Sequence, residues 1–440
     1  MTTIILGGGI IGLSTAYYLS LPTDTNPNPP NIVIIDSASS LLLSASAYAG
    51  GFLALDWFAP PVASLGALSF KLHRELAQEH DGQKRWGYTG SHVYSLSIDD
   101  RGFGKGRKKE RGGDWLLEGT SRAETVGENT VGANGKGAGR DEMLNEDGTP
   151  AWITQQSNGT LETIAGTEEC GQVEPRELCE FLIGECEKRG VKVKTSSTAK
   201  TVMRGEDGKI AGVLVEVKDG EERIDCSNLL LAAGTWTPRV YQKLFPESRK
   251  RIPIDPLAGH SILFRSPRYK TPFASPNSSP LKSGEKQLMS YAVYCAPCER
   301  FRYAPEAFAR LARDGEAEVW IGGLNDSSMK LPETADAVKA MTSRKDLDDL
   351  KKTTVVLTGL SKEGSEINDD DLETRREGLC FRPVSRTGLP ILSKVKDKSG
   401  LFIASGHGPW GISLSLGTGK VMSEMIRGER TSADIGSLRL

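Results

Sequence analysis

Thr2-Thr3-Ile4-Ile5-Leu6-Gly7-Gly8-Gly9-Ile10-Ile11-Gly12 opens the chain with an apolar run that breaks into GxGxxG. The pattern predicts a strand over Thr2 to Leu6, a turn at the glycines and a helix through Leu13 to Leu19. Gly7 permits the tight turn, Gly9 lets the backbone approach a pyrophosphate, and Gly12 lets the helix pack closely on the strand. Ile10 and Ile11 bring the helix N-terminus, with its amide donors and positive dipole, to the same place. A second apolar run, Ile32 to Ile35, ends in Asp36, which lies 24 positions after Gly12. The usual interval is ~20, and the excess fits in the loop Pro22 to Asn31, which holds four prolines. Asp36 is placed to hold a ribose hydroxyl. A lone GxGxxG is also an ordinary glycine turn, but strand, helix, second strand and acid in this order read as a dinucleotide site.

At 440 residues the chain is long enough for two domains, and 38% hydrophobic residues suffice for buried cores. A net charge of −2 argues against nucleic acid or an anionic membrane as the main partner. The longest apolar stretches are far below the ~20 residues that span a bilayer. The first residues read directly as a core strand, without the look of a leader. Seven cysteines at no framework spacing suit a reducing compartment, so a cytoplasmic protein is expected. Leu438-Arg439-Leu440 only loosely resembles a peroxisomal address. Cys295-Ala296-Pro297-Cys298 has no second pair at zinc spacing, and no metal site is expected.

The chain reads as interleaved rather than cut in two. After the nucleotide-binding start, Arg101 to Arg111 carries six basic residues and Val131 to Arg140 is glycine-rich; the basic run is most simply a solvated loop. Apolar spacing predicts a helix over Arg176 to Arg189 and strands at Val191 to Val193 and Leu229 to Ala232. Further strands are expected at Ser261 to Phe264 and Glu318 to Gly322, with a Pro/Ser/Asn-rich loop from Ser266 to Ser283 between them. A charged helix is expected from Ala335 to Lys352, and a last helix from Thr418 to Ile426.

These pieces resemble the FAD-dependent oxidoreductases of the D-amino-acid oxidase, sarcosine oxidase and amadoriase type. Ala49 to Trp57 is similar to a fungal branch of them. The resemblance implies an α/β fold in which a Rossmann-type FAD-binding domain (1–75, 165–252, 376–440) is interleaved with an α+β substrate domain on a mixed or antiparallel sheet (76–164, 253–375). It implies FAD on Gly7, Gly9, Ile10, Ile11, Gly12, Asp36 and Ser37. It also implies an approach of Ser44, Ala45, Ser46, Gly50, Gly51 and Phe52 to the pyrophosphate and flavin, where small residues leave the backbone accessible. Ala199 corresponds to an adenine contact, and Ala233, Gly234 and Trp236 to the turn under the ADP. Gly406, His407, Gly408, Trp410, Gly411 and Ile412 correspond to the segment that closes over the flavin ring. Cys380 matches a cysteine that binds FAD covalently in sarcosine oxidase and amadoriase, although Arg-Pro after it resembles relatives without that bond, and a plain apolar strand cysteine is the simpler reading.

Three cations of the sarcosine-oxidase pattern are missing. Trp320 stands where a lysine promotes reaction with oxygen, Trp410 stands where a lysine holds the substrate carboxylate, and no arginine occurs between Ser37 and His73. Trp57, Trp320 and Trp410 either line an amine-binding pocket or fill space. Arg310 and Arg313 are the nearest spare cations for a carboxylate, and His260 is either a polar contact or a satisfied core histidine. The resemblance implies oxidation of a C–N bond in an amine or amino-acid derivative, with oxygen or another acceptor taking the electrons. A nicotinamide-dependent dehydrogenase and a non-catalytic flavin-fold interaction protein stand as alternatives.

Overall fold

The structure is a computed structural model. It describes residues 2–24, 27–98, 153, 159–265, 288–298, 301–357, 372–395 and 399–440. The basic run, the glycine-rich stretch and the Pro/Ser/Asn-rich loop lie outside these residues. Among the described residues no helix is long and apolar enough to cross a membrane.

The predicted first strand forms over Thr2–Leu6 and sits in the middle of a six-stranded sheet. Its parallel neighbours are Asn31–Ile35 and Asn228–Leu231. Lys192–Lys194 extends the sheet beyond the first, and Leu401–Ser405 and Ile391–Lys394 extend it beyond the second. The buried run in each central strand serves two cores, because successive side chains face opposite ways. Ile5, Ile32, Ile34 and Leu230 pack against helices that include Ile10–Leu19 and Pro175–Lys188. Ile4, Leu6, Val33, Ile35, Leu229 and Leu231 pack with Val213 and Val215 of an antiparallel three-stranded sheet. Parallel strands so covered on both faces, with the glycine turn between strand and helix, are the expected α/β arrangement.

The Gly7 turn is close-packed. A Cβ on Gly7, whose φ is +112°, would lie 2.5 Å from the Ala232 carbonyl oxygen, and one on Gly12 would lie 2.1 Å from the Gly7 oxygen. The helix therefore starts at Ile10, three residues earlier than Leu13. The last helix likewise spans Ser415–Arg427 rather than starting at Thr418. Ala335 to Lys352 is not one helix: 3-10 turns at Ala335–Ala337 and Lys339–Met341 precede a helix over Arg344–Leu357. The break falls where the Ser343 amide donates to His260 Nε2 and the Ser343 hydroxyl oxygen accepts from the Asp346 amide, capping a new helix.

A ten-stranded mixed sheet forms the second layer. Ile254–Arg265 runs antiparallel to Ala317–Gly322, which leads through Glu306–Leu311 and Met289–Cys295 to Thr89–Ser97. On its other side Ile254–Arg265 pairs along its whole length with Glu373–Ser385. Phe52–Ala54 and Cys170–Gln172 also join this sheet. The strands near 52, 171 and 380 thus lie in the larger sheet, while the segments just before or after them belong to the smaller one.

Candidate functional site

A cavity of about 390 Å³ lies between the C-terminal ends of Thr2–Leu6, Asn31–Ile35, Asn228–Leu231 and Leu401–Ser405 and the face of the larger sheet. Such a crevice at strand C-termini is where open α/β sheets bind ligands. Gly7, Gly9, Ile10, Ile11, Asp36, Ser37, Ser44, Ala45 and Ser46 line one stretch of it. Gly50, Gly51, Phe52, Ala199, Ala233, Gly234 and Trp236 also line it, as do Cys380, His407, Gly408, Gly411, Ile412 and Trp320. Stretches distant in sequence are thereby brought to one cavity. Gly12 and Gly406 shape the turns without lining the cavity.

Local geometry explains the placement. Asp36 accepts from the Gly8 amide at 2.8 Å and the Ala38 amide at 2.9 Å, so it ties the glycine turn to the second strand. Burial pushes its carboxyl up, and the two amides pull back. The Ser46 hydroxyl oxygen accepts from the Ile10 amide at 3.0 Å, which anchors Ala45–Tyr48 at the helix start. No acid occupies the first turn of that helix, so its positive end is not neutralised locally.

Behind Gly50 lies a buried charge network. Arg310 donates to the Gly50 carbonyl at 3.1 Å and to Glu174 at 2.8 Å, and Arg376 donates to the same Glu174 oxygen at 2.8 Å. Arg310 is therefore not a spare cation. It is fully buried, neutralised by Glu174, and does not line the cavity. Arg313 is committed to Glu180 and Glu177. His260 is a satisfied core histidine: Nε2 accepts from Ser343, Nδ1 lies 3.6 Å from Asp346, and it too stands apart from the cavity.

The tryptophans separate. Trp320 lines the cavity, stacks on Phe308 with centroids 5.3 Å apart and planes within 10°, and donates from Nε1 to the Tyr48 carbonyl at 3.0 Å. Trp57 packs behind, against Phe52 and Tyr294. Trp410 packs edge-on to Phe58. Of the three, Trp320 alone lines the cavity, together with Tyr48, Phe52, Trp236, Phe308 and Phe381.

Two guanidiniums line the cavity: Arg239, bound to the Leu331 and Pro332 carbonyls, and Arg382, which the sequence reading did not single out. Arg382 stands two residues after Cys380, so strand alternation puts both on one face, and its Nη1 donates to Asn325. Strand periodicity could have flagged it. Glu306, Phe308 and the wall at Glu333 to Ala335 had no comparable signal, because they reach the cavity through long-range pairing. His73 was also missed. It donates from Nε2 to the Ile412 carbonyl at 3.0 Å and so supports the Gly406 to Ile412 segment from behind.

The residues fit a flavin dinucleotide. A Cβ on Gly9 would meet only the Ser46 hydroxyl, at 3.2 Å, so the glycine leaves the cavity clear. Gly9, Ile10 and Ile11 bring to the same cavity the start of a helix with no acid in its first turn, which suits a pyrophosphate. His407 Nε2 is held by the Thr418 hydroxyl at 3.0 Å, and burial pushes its pKa down to about 3, so the ring is neutral.

A family model described as FAD dependent oxidoreductase (DAO) matches residues 2–425. A Schizosaccharomyces pombe protein named as an oxidoreductase, C1F5.03c, is 27% identical over 99% of this chain and 96% of its own length. The fold is similar to that of glycine oxidase from Geobacillus kaustophilus, with a TM-score of 0.65 at 17% identity over 100% of this chain and 97% of that one. It is also similar to iminodiacetate oxidase from Chelativorans sp. BNC1, with a TM-score of 0.65 at 18% identity over 99% of this chain and 98% of the other.

Proposed function

This chain belongs to the DAO family of FAD-dependent oxidoreductases, and from that premise we propose that it oxidises a C–N bond of an amino acid or amine to an imine. The observation that carries the reading is Arg382, a guanidinium in the cavity that also holds the Gly50 to Phe52 turn and Cys380. A fixed guanidinium recognises a carboxylate with two parallel donors, and in a cavity with apolar walls an unpaired carboxylate would be costly. Glycine oxidase and iminodiacetate oxidase, by their names, act on substrates with such a group.

Bound FAD would accept a hydride from the carbon beside the nitrogen, while the nitrogen loses a proton. The residues of the chain do the rest. Gly7, Gly9 and the start of the first helix would hold the pyrophosphate, and Asp36 the ribose. Phe52, Phe308 and Trp320 exclude water from the reacting carbon, and Arg382 orients the carboxylate. Trp320 places no positive charge at its position in the cavity, so oxygen would take electrons from the reduced cofactor slowly and another acceptor could do so faster. A nicotinamide-dependent reading accounts for the first forty residues alone, whereas the family match extends to residue 425.

The test is anaerobic mixing of the purified protein with a panel of amino acids and amines, following the flavin band near ~450 nm. Bleaching by α-amino acids, with a KM raised at least tenfold in Arg382→Met and kcat changed less, is the expected result. Absence of bleaching by every member of the panel favours the non-catalytic alternative, and bleaching indifferent to Arg382 removes the carboxylate from the reading.

A further inference from the structure

Three strands of the smaller sheet lie side by side in the order Asn228–Leu231, Thr2–Leu6, Asn31–Ile35, and the Gly7 turn follows the middle one. The segment Leu331–Asp336, which belongs to the larger sheet's half of the chain, is fastened on both sides of that turn. After the first of these strands, Trp236 donates from Nε1 to the Pro332 carbonyl at 2.9 Å. Arg239 donates to the Pro332 and Leu331 carbonyls, each at 2.7 Å. After the third, the Ser39 amide donates to the Asp336 carboxylate at 3.1 Å and the Ser39 hydroxyl donates to it as well. Between these fastenings Glu333, Thr334 and Ala335 line the same cavity as Asp36 and Ala199.

We propose that Leu331–Asp336 is a clasp that walls the adenosine end of the FAD site and must open for the cofactor to enter or leave. Its roots are firm. On one side Asn325 and Asp326 pair with Gly259 and Ala258. On the other, buried Val338 packs with Ala258, Leu379 and Phe381. Leu331 packs against the same cluster as Val338, whereas the bonds beyond it are few and polar, so Pro332–Asp336 is the part that opens. Asp336 ties the clasp down without lining the cavity, but its charge reaches Asp36, so Ser39→Ala, which leaves that charge in place, is the cleaner variant. The inference rests on FAD occupying this cavity and is independent of the substrate.

The experiment measures FAD release from the holoprotein and FAD capture by the apoprotein, both by flavin fluorescence. A Cys380→Ala background keeps the flavin exchangeable whatever its linkage. Asp336→Ala, which loses the amide and hydroxyl bonds, and Ser39→Ala, which loses the hydroxyl bond, are each expected to speed release and capture alike, by about tenfold. Asp207→Asn, which alters only an exposed pair with Lys209 away from the cavity and the clasp, is expected to change either rate by less than about twofold. Unchanged rates in both variants overturn the clasp. Faster release with unchanged capture also overturns it, since that marks a fixed wall and no gate. If Asp336→Ala lowers the melting temperature of the apoprotein, Ser39→Ala decides the matter. The amine-oxidation reading can fail in the bleaching assay without moving either rate.

Discussion

Replacing Glu174 by Gln isolates the charge network that holds the Gly50 turn. The Arg310 side chain has no exposed surface and that of Glu174 keeps 4%, with 2.8 Å between them. Arg376 shares the same carboxylate oxygen, and Glu318 stands 3.9 Å from Arg310 Nε. Removing one partner of a buried ion pair costs about 3–5 kcal/mol, because the remaining charge stays desolvated. A glutamine oxygen still accepts one bond and Glu318 still offers partial compensation, so the loss should fall near the low end, about 3 kcal/mol. The pH dependence has a definite sign. Burial pushes the Glu174 carboxyl up, but Arg310 and Arg376 pull it down further, to below the usual range. Its contribution is therefore complete above the ordinary value of ~4.3 and is lost as pH falls through the lower value of the folded state. Urea unfolding midpoints, followed by tryptophan fluorescence, should separate wild type from Glu174→Gln equally at pH 6 and 8 and less in acid. The variant should also lose FAD more readily, because Arg310 no longer fixes the Gly50 carbonyl. A loss below about 1 kcal/mol at pH 7, or a gap that widens in acid, would refute the reasoning.

Reoxidation by oxygen should be slow in the native protein and faster in Trp320→Lys, at some cost in melting temperature because the bond to Tyr48 goes; stopped-flow mixing with aerated buffer checks this, and native reoxidation as fast as in efficient oxidases rejects it. Burial pushes the Cys380 thiol up while Arg382 pulls it back only in part, so the thiolate that a thioether needs is disfavoured. Acid precipitation should accordingly give a yellow supernatant and a colourless pellet, and a yellow pellet would show the covalent bond. Burial lowers the His73 pKa to about 4, below the ~6.5 of an unfolded histidine, so stability falls as pH drops from about 6.5 towards 4. His73→Gln should flatten part of that slope in urea midpoints at pH 5 and 7, and an unchanged slope counts against a neutral His73.

The sequence by itself determined the nucleotide-binding half. The apolar run before Gly7, the glycine spacing and Asp36 after the second strand depend on neighbours a few residues away, because turn stereochemistry and strand alternation are local. The turn at Ala233 to Trp236 and the segment from Gly406 to Ile412 were legible only through the family resemblance, and both stand at strand ends. Tertiary structure decided which cations are paired and which line the cavity. Arg310 reads as a spare guanidinium until the fold brings it 2.8 Å from Glu174, 136 residues earlier. Arg382 reads as a strand residue until pairing with Ile254–Arg265 turns its face to the cavity. The clasp was likewise invisible, since Ser39 and Asp336 stand 297 positions apart. A charge has no function until its counter-charge or its solvent exposure is fixed, and both are set by contacts between strands that are distant in sequence.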